Sequence, residues 1–219
     1  MGEIGDEYFI AACIALAERM DRLKAIFAPM EELNSQGFVS VNVFSKGKPV
    51  SYIMDDLLMV KPYWNQYVDF PFAPLLNDGA AWLIFAEKAF ARQNGWYYRI
   101  EGGRFGEAIR FLTGAPTREY QTQEFSAELL FKNLIQAVYE NHIVTATSSR
   151  GNNDQNDEFG LMAAYHYTVI GAFEIMRSGK PLLLVKLRDP WAKSHYTGPW
   201  NAQDERWSQK LKEKLSYSD

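Results

Sequence analysis

Apolar residues recur every three or four positions along residues 7–20, a spacing that places them on one face of an α-helix. The face is formed by Phe9, Ile10, Cys13, Ile14, Leu16, Ala17 and Met20. Asp6 stands directly before it, and aspartate is a preferred residue for capping a helix N-terminus with its side chain. The pattern therefore predicts a helix that is capped by Asp6 and, because the apolar face is broad, largely buried.

From residue 39, apolar and polar residues alternate one by one, in place of the helical spacing. Val39, Val41 and Val43 alternate with polar residues, which predicts a half-buried strand. Residues 45–49 predict a turn, and residues 50–54 predict the returning strand of a hairpin. The helical period then returns in residues 82–94 and again in a short stretch that ends at Leu112.

The second half of the chain favours strands. A helix is predicted at about residues 124–140, followed by strands at 143–147, 163–176 (one long strand or a pair) and 182–187. The sequence Thr-Gly-Ala-Pro at residues 113–116 interrupts the pattern between the halves. We therefore predict an α+β protein with a helical lobe at 1–114 and a β-rich lobe at 115–219.

Composition narrows the function classes. The 219 residues are 47% hydrophobic, which is enough for a substantial core. The net charge of −4 does not indicate a protein that binds nucleic acid or an anionic membrane. No apolar run is long enough to span a bilayer, and the acidic N-terminus does not resemble a signal peptide. One cysteine excludes an internal disulfide. These features predict a cytoplasmic protein, and the abrupt start at an informative motif suggests part of a longer polypeptide.

Several stretches, in order along the chain, resemble motifs of the calpain family. Residues 5–12, Gly-Asp-Glu-Tyr-Phe-Ile-Ala-Ala, resemble its catalytic motif Gly-Asp-Cys-Trp-Phe-Leu-Ala-Ala. Residues 82–95 resemble its helix Trp-x-x-x-x-Glu-Lys-Ala-Tyr-Ala-x-x-Asn-Gly. Residues 187–191, Leu-Arg-Asp-Pro-Trp, resemble its Leu-Arg-Asn-Pro-Trp. The chain is therefore identified as a member of the calpain-like cysteine proteases, similar to the divergent members found in protozoa.

The resemblance implies a papain-like fold with a cleft between two lobes, but it does not carry over the chemistry. The family's nucleophilic cysteine falls on Glu7, its histidine on Tyr165 and its asparagine on Asp189. The glutamine of its oxyanion hole falls on Met1. The resemblance thus predicts a pseudoprotease, a domain that binds or scaffolds other proteins without cutting them.

Each replacement removes a chemical requirement. A carboxylate is a poor nucleophile toward an amide, and a tyrosine with a pKa of about 10 is a poor general base at neutral pH. Loss of an oxyanion donor costs on the order of a hundredfold in rate. His166 cannot replace Tyr165 as the base without a β-bulge, because neighbouring side chains in a strand point to opposite faces. Cys13 lies on the apolar helix face and is expected in the core.

The resemblance also indicates where the remaining site residues lie. We expect Glu7, Tyr165 and Asp189 to lie together in one cleft, with the Tyr165 hydroxyl within roughly 2.5–3.2 Å of a carboxylate. Gly5, Asp6 and Trp191 match family positions that line the cleft or maintain the fold. The other two histidines, His142 and His195, match no catalytic position and are expected to be surface or structural residues.

No cofactor or metal is expected. Family calcium-ligand positions in the protease core fall on Ala80, His195 and Ala202, whereas Ca²⁺ needs several oxygen ligands. The resemblance implies protein partners, cytoskeletal proteins or an active calpain among them, and a location at the cytoskeleton or cell cortex. The oligomeric state is left open.

One alternative keeps catalysis. Glu7 and Asp189 would form a pair of carboxyl groups in one cleft, and such pairs carry out acid–base chemistry in some hydrolases. Tyr165 would hydrogen-bond to either carboxyl group. This alternative predicts residual or altered hydrolase activity.

Overall fold

The computed structural model describes residues 4–27, 36–62, 68–76, 78–148, 158–177, 179–190 and 195–217. The chain forms two compact units, Met1–Glu124 and Phe125–Asp219. Both contain helices and strands, so the predicted α+β class is confirmed. Within the described residues, no helix has the length and apolar character needed to cross a membrane.

The described residues of the first unit form four α-helices and two antiparallel strand pairs. Its elements are α1 (Glu7–Ala17), α2 (Met20–Phe27), β1 (Phe38–Ser45), β2 (Lys48–Asp55), β3 (Lys61–Pro62), β4 (Val68–Asp69), α3 (Trp82–Asn94), a 3₁₀-helix (Tyr97–Ile100), α4 (Phe105–Thr113) and a second 3₁₀-helix (Thr122–Glu124). Strand β1 pairs with β2, and β3 pairs with β4.

Three aromatic rings join the helices of the first unit. Phe9 of α1 stacks on Phe90 of α3 with ring centroids 4.3 Å apart. Phe111 of α4 packs at 4.8 Å from Phe90. All three side chains are buried, and each such aromatic pair adds about 1 kcal/mol beyond the area it buries. This cluster packs α1 and α4 against α3.

The predicted helix at residues 7–20 ends earlier than expected. Helix α1 stops at Ala17, and Met20, assigned to the buried face, begins α2 and is 60% exposed. Two charged residues separate the helices, and the carbonyl of the second, Arg19, accepts hydrogen bonds from the amides of Arg22 and Leu23. The spacing of apolar residues that is typical of one helix thus continues through Met20, although the backbone ends α1 and begins α2.

The predicted hairpin is confirmed. Val39, Val41 and Val43 of β1 are buried, and their polar neighbours are not. Lys46 and Gly47 both have positive φ angles, as a tight two-residue hairpin turn requires.

The compact units divide after Glu124, and the lobe boundary after Gly114 stays a prediction from the sequence. A contact holds the segment that follows Gly114 to α4. Thr117 accepts a 2.7 Å hydrogen bond from the Arg110 guanidinium, and a Cβ at Gly106 would lie 2.8 Å from the Thr117 hydroxyl oxygen. A glycine at position 106 therefore allows the segment to pack closely on the helix.

The second unit contains a three-stranded antiparallel sheet. Its elements are α5 (Ala127–Tyr139), β5 (Thr145–Thr147), β6 (His166–Arg177), β7 (Lys180–Arg188) and α6 (Gln209–Lys214). The strand order is β5-β6-β7. Strand β6 begins at His166 rather than at residue 163, because Ala164 has a φ of +52°, outside the extended region. The register of β6 and β7 decides which residues meet at their ends.

Candidate functional site

Backbone hydrogen bonds shape the N-terminal end of α1, residues 5–7, which we call the mouth of α1. Gly5 has a φ of +65°, in the left-handed region that favours glycine, and its carbonyl accepts a 3.0 Å hydrogen bond from the Gly102 amide. The Asp6 carbonyl accepts from the amide of Phe9 at 2.8 Å, which starts the helix. Glu7 is thereby the first helical residue.

Asp6 does not cap the helix as its residue type predicts. It occupies the N-cap position, but its side chain makes no capping hydrogen bond. The carboxyl group turns inward to within hydrogen-bonding reach of the Glu87 carboxyl group on α3. Asp6 is 4% exposed and Glu87 is fully buried. A tertiary partner has therefore overridden a local preference.

Burial changes the acidity of this pair. Desolvation raises the pKa of Glu87 to about 9, and the negative charge of Asp6 adds to the effect. Desolvation also raises the pKa of Asp6, while the hydrogen bond from Glu87 opposes the rise. Burial thus raises the pKa of both carboxyl groups, and it raises the pKa of Glu87 further.

Glu7 carries a carboxylate where the resemblance places a nucleophile. It is half-buried and is the acidic residue of the first turn of α1. The unpaired N–H groups and the dipole of a helix N-terminus favour negative charge there. The position suits an anion, and glutamate supplies one without a thiol.

Cys13, the single cysteine in the sequence, cannot take over as a nucleophile. It lies inside α1, is 1% exposed, and burial raises the pKa of its thiol well above the ordinary value. Electrostatic interactions with the buried carboxyl groups of Asp6 and Glu87 raise it further. A reactive cysteine needs exposure and a lowered pKa. Cys13 has neither property, so the predicted core location is confirmed.

Tyr165 and Asp189 come together in the second unit. The Tyr165 hydroxyl donates a 2.8 Å hydrogen bond to Asp189 Oδ1. The predicted hydrogen bond between Tyr165 and a carboxylate is therefore present. Tyr165 is 6% exposed, and its ring packs edge-on against Tyr167 at 5.0 Å. The grouping of Glu7 with this pair stays a prediction.

The antiparallel register explains why these two residues meet. Tyr165 directly precedes β6, and Asp189 directly follows β7. Thr168 pairs with Arg188, so the start of one strand lies beside the end of the other. Ser148 fixes the Tyr165 backbone from the side of β5: its amide donates to the Tyr165 carbonyl at 3.0 Å, and its hydroxyl oxygen accepts from the Tyr165 amide at 2.9 Å.

His166 is directed elsewhere. Its Nδ1 atom is hydrogen-bonded to the Thr147 hydroxyl on β5 at 3.0 Å, and the two residues are register partners. The irregularity in β6 lies between Val169 and Gly171, several residues away. His166 is therefore engaged with the neighbouring strand and does not take the place of Tyr165.

The remaining candidates lie outside this arrangement. His142 is exposed beside Glu140, with Nε2 and Oε2 3.3 Å apart, and His195 is exposed. Trp191 and Met1, both named from the sequence, lie outside the described residues. Within the described ranges, no group of three or more His, Cys, Asp or Glu side chains is placed to hold a metal ion.

Sequence reasoning missed the burial of Glu87. Glu87 lies within the motif of residues 82–95, and the helix residues before and after it, Phe85, Ala86, Ala89 and Phe90, are buried. A charged residue on the apolar face of a helix is the signal that points to a buried titratable group.

The comparisons with known proteins agree with this architecture. A sequence-family model described as calpain family cysteine protease, peptidase C2, matches residues 1–219. The fold is that of a calpain-type protease core, and the chain belongs to the calpain family of cysteine proteases.

The relatives include much longer proteins. The chain is 26% identical over 223 residues to the calpain-type cysteine protease ADL1 of Oryza sativa subsp. japonica, covering 99% of this chain and 10% of the relative. Identity to the calpain-type cysteine protease DEK1 of Zea mays is also 26%, with the same coverage. Calpain-14 of Homo sapiens is 28% identical over 209 residues, covering 94% of this chain and 29% of the relative.

Proposed function

We propose that this chain is a calpain-like domain without peptidase activity, which serves as a binding or scaffold module. The observation that carries the proposal is Glu7 at the mouth of α1, where the motif of residues 5–12 resembles one that holds a cysteine. A carboxylate there would form a labile anhydride with an acyl group, so it cannot sustain a cysteine protease cycle.

The buried state of Cys13 supports the proposal. A thiol that is 1% exposed, with a raised pKa, offers no thiolate to a substrate. The Tyr165–Asp189 hydrogen bond gives further support. A tyrosine whose hydroxyl donates a hydrogen bond to a carboxylate does not act as a base near neutral pH. A histidine with a pKa near 6.5 can act as one.

The proposal extends to calcium and partners. We propose that the domain acts without calcium, since family ligand positions fall on Ala80, His195 and Ala202. Its partners would be proteins, with cytoskeletal proteins or an active calpain as candidates, and its location would be the cytoplasm near the cytoskeleton or cell cortex.

A rebuilding experiment tests the proposal. The unmodified chain and the triple variant Glu7→Cys, Tyr165→His, Asp189→Asn would be assayed on a fluorogenic peptide with and without calcium. We expect no turnover from the unmodified chain and measurable, slow turnover from the variant, because the residue matching the oxyanion glutamine is still methionine. Glu7→Cys alone is the matched control and should be inactive, since it lacks a base. Turnover by the unmodified chain would contradict the proposal and favour the altered-hydrolase alternative.

A further inference from the structure

The carboxyl pair formed by Asp6 and Glu87 has a buried oxygen on each side that lacks a donor. Among the described residues, Asp6 Oδ2 and Glu87 Oε1 are buried and have no hydrogen-bond partner. Glu87 Oε2 accepts the Ala73 amide at 2.9 Å. Two ionised carboxylates cannot donate to each other, so their contact becomes a hydrogen bond only if one of them carries a proton.

The surroundings favour a proton over a counter-ion. The ionisable groups that interact electrostatically with the pair are Glu7, Tyr8 and Cys13 on α1 and Tyr97 on the 3₁₀-helix after α3. Every one of these is acidic or neutral. The nearest cation along α3, Lys88, donates instead to a carboxylate on β2 at 2.6 Å. Leaving two unpaired charges buried together would cost several kcal/mol, and one proton avoids that cost.

We propose that Asp6 and Glu87 share one proton at neutral pH and that this proton holds the mouth of α1 against α3, so that the position of Glu7 depends on it. Asp6 supplies the carbonyl that accepts the first helical amides, those of Phe9 and Ile10. Glu87 lies one turn before Phe90, the residue on which Phe9 stacks. The shared proton thus acts at the same junction as the aromatic contact. The proposal stands whether or not the chain cleaves peptides.

The pair makes stability depend on pH in a defined direction. Burial raises the pKa of both carboxyl groups above the values of the unfolded chain, so the folded chain binds more protons. The stabilisation is complete in acid, below the unfolded pKa values, and is lost as the pH rises through the folded values. The loss should therefore extend from weakly acidic to alkaline pH, up to the pKa of about 9 for Glu87.

Thermal unfolding across pH tests this inference. The melting temperatures of the unmodified chain, Glu87→Gln and the exposed control Glu107→Gln would be measured from about pH 6 to about pH 10. Glutamine keeps an amide donor toward Asp6 and an acceptor toward the Ala73 amide, so it imitates protonated Glu87. We expect the melting temperature of the unmodified chain and of the control to fall by at least about 5 °C more than that of Glu87→Gln. Equal falls in all three would overturn the inference.

Two further measurements on the folded chain, infrared spectroscopy and amide exchange, complete the test. Infrared spectroscopy of the unmodified chain at neutral pH should show the C=O stretch of a buried protonated carboxylic acid, and Glu87→Gln should remove it. A missing band would overturn the inference even if the variant failed to fold. Amide exchange should show that the protection of Phe9 and Ile10 falls with rising pH relative to that of Val41 in β1. Unchanged relative protection would overturn the claim that the proton holds the mouth of α1.

Discussion

The Tyr165 hydroxyl donates a 2.8 Å hydrogen bond to Asp189, across the adjoining ends of β6 and β7. The two residues stand at positions that match a histidine and an asparagine in the motifs that the chain resembles. A side-chain hydrogen bond between a tyrosine and an aspartate therefore joins these two points of the sheet, and neither residue type titrates near neutral pH in model peptides. This arrangement is suited to maintaining structure and is poorly suited to proton abstraction.

Replacing Tyr165 with phenylalanine tests the structural value of this hydrogen bond. The change should lower the free energy of unfolding by about 1 kcal/mol, because Asp189 is only half-buried and water can replace the lost donor. Urea denaturation measures the difference. Tyr196→Phe is the matched control: its hydroxyl donates to the Pro199 carbonyl at an exposed site, so the change should be smaller. An equal loss of unfolding free energy in the two variants would show that the Tyr165 hydrogen bond stabilises the chain no more than the exposed one.

Gly103 should tolerate no side chain. A Cβ at this position would lie 2.3 Å from Tyr8 Cζ, and Tyr8 is a buried residue whose hydroxyl donates to the Ile100 carbonyl at 3.1 Å. Gly103→Ala should therefore cost about 2 kcal/mol or more in urea denaturation. Gly79→Ala is the control, since its Cβ would meet nothing within 4 Å and only its positive φ opposes the change. A smaller loss for Gly103→Ala than for the control would contradict this packing.

Thiol labelling should separate positions 7 and 13. Native Cys13 is 1% exposed with a raised pKa, so we expect alkylation to be slow and to become fast only on unfolding. In Glu7→Cys, a second thiol at a half-buried helix N-terminus should react faster than Cys13 by on the order of tenfold or more. Mass spectrometry identifies which residue is modified. Rapid native labelling of Cys13 would contradict its location in the core.

Calcium should not stabilise the chain. A ligand that binds only the folded state raises the melting temperature by mass action. We therefore expect the melting temperatures with millimolar calcium and with a chelator to differ by less than about 1 °C. Magnesium at the same concentration controls for ionic strength. A rise specific to calcium would contradict the proposed calcium independence.

The elements that depend on local pattern were predictable from the sequence. The hairpin followed from the alternation of Val39, Val41 and Val43 with polar residues, and its turn followed from Gly47. The end of α1 was not predictable from the sequence, because the apolar spacing continues through Met20 while the backbone begins a new helix after Arg19. A period records which face is apolar and does not record a break in the hydrogen-bond ladder.

The site was predictable only in part, for the same physical reason. Tyr165 and Asp189 were expected together from the resemblance, and antiparallel pairing brings them together. The inward turn of Asp6 was not expected, because capping preference is local whereas Glu87 is its neighbour only in the folded unit.

The rate of peptide hydrolysis by the unmodified chain tests the central claim most directly. Purified protein would be incubated with a fluorogenic calpain-type peptide in calcium, beside Glu7→Ala as a matched protein blank. The account predicts that both rates equal the rate in buffer alone. Hydrolysis by the unmodified chain that Glu7→Ala abolishes would contradict it and would make Glu7 a catalytic residue.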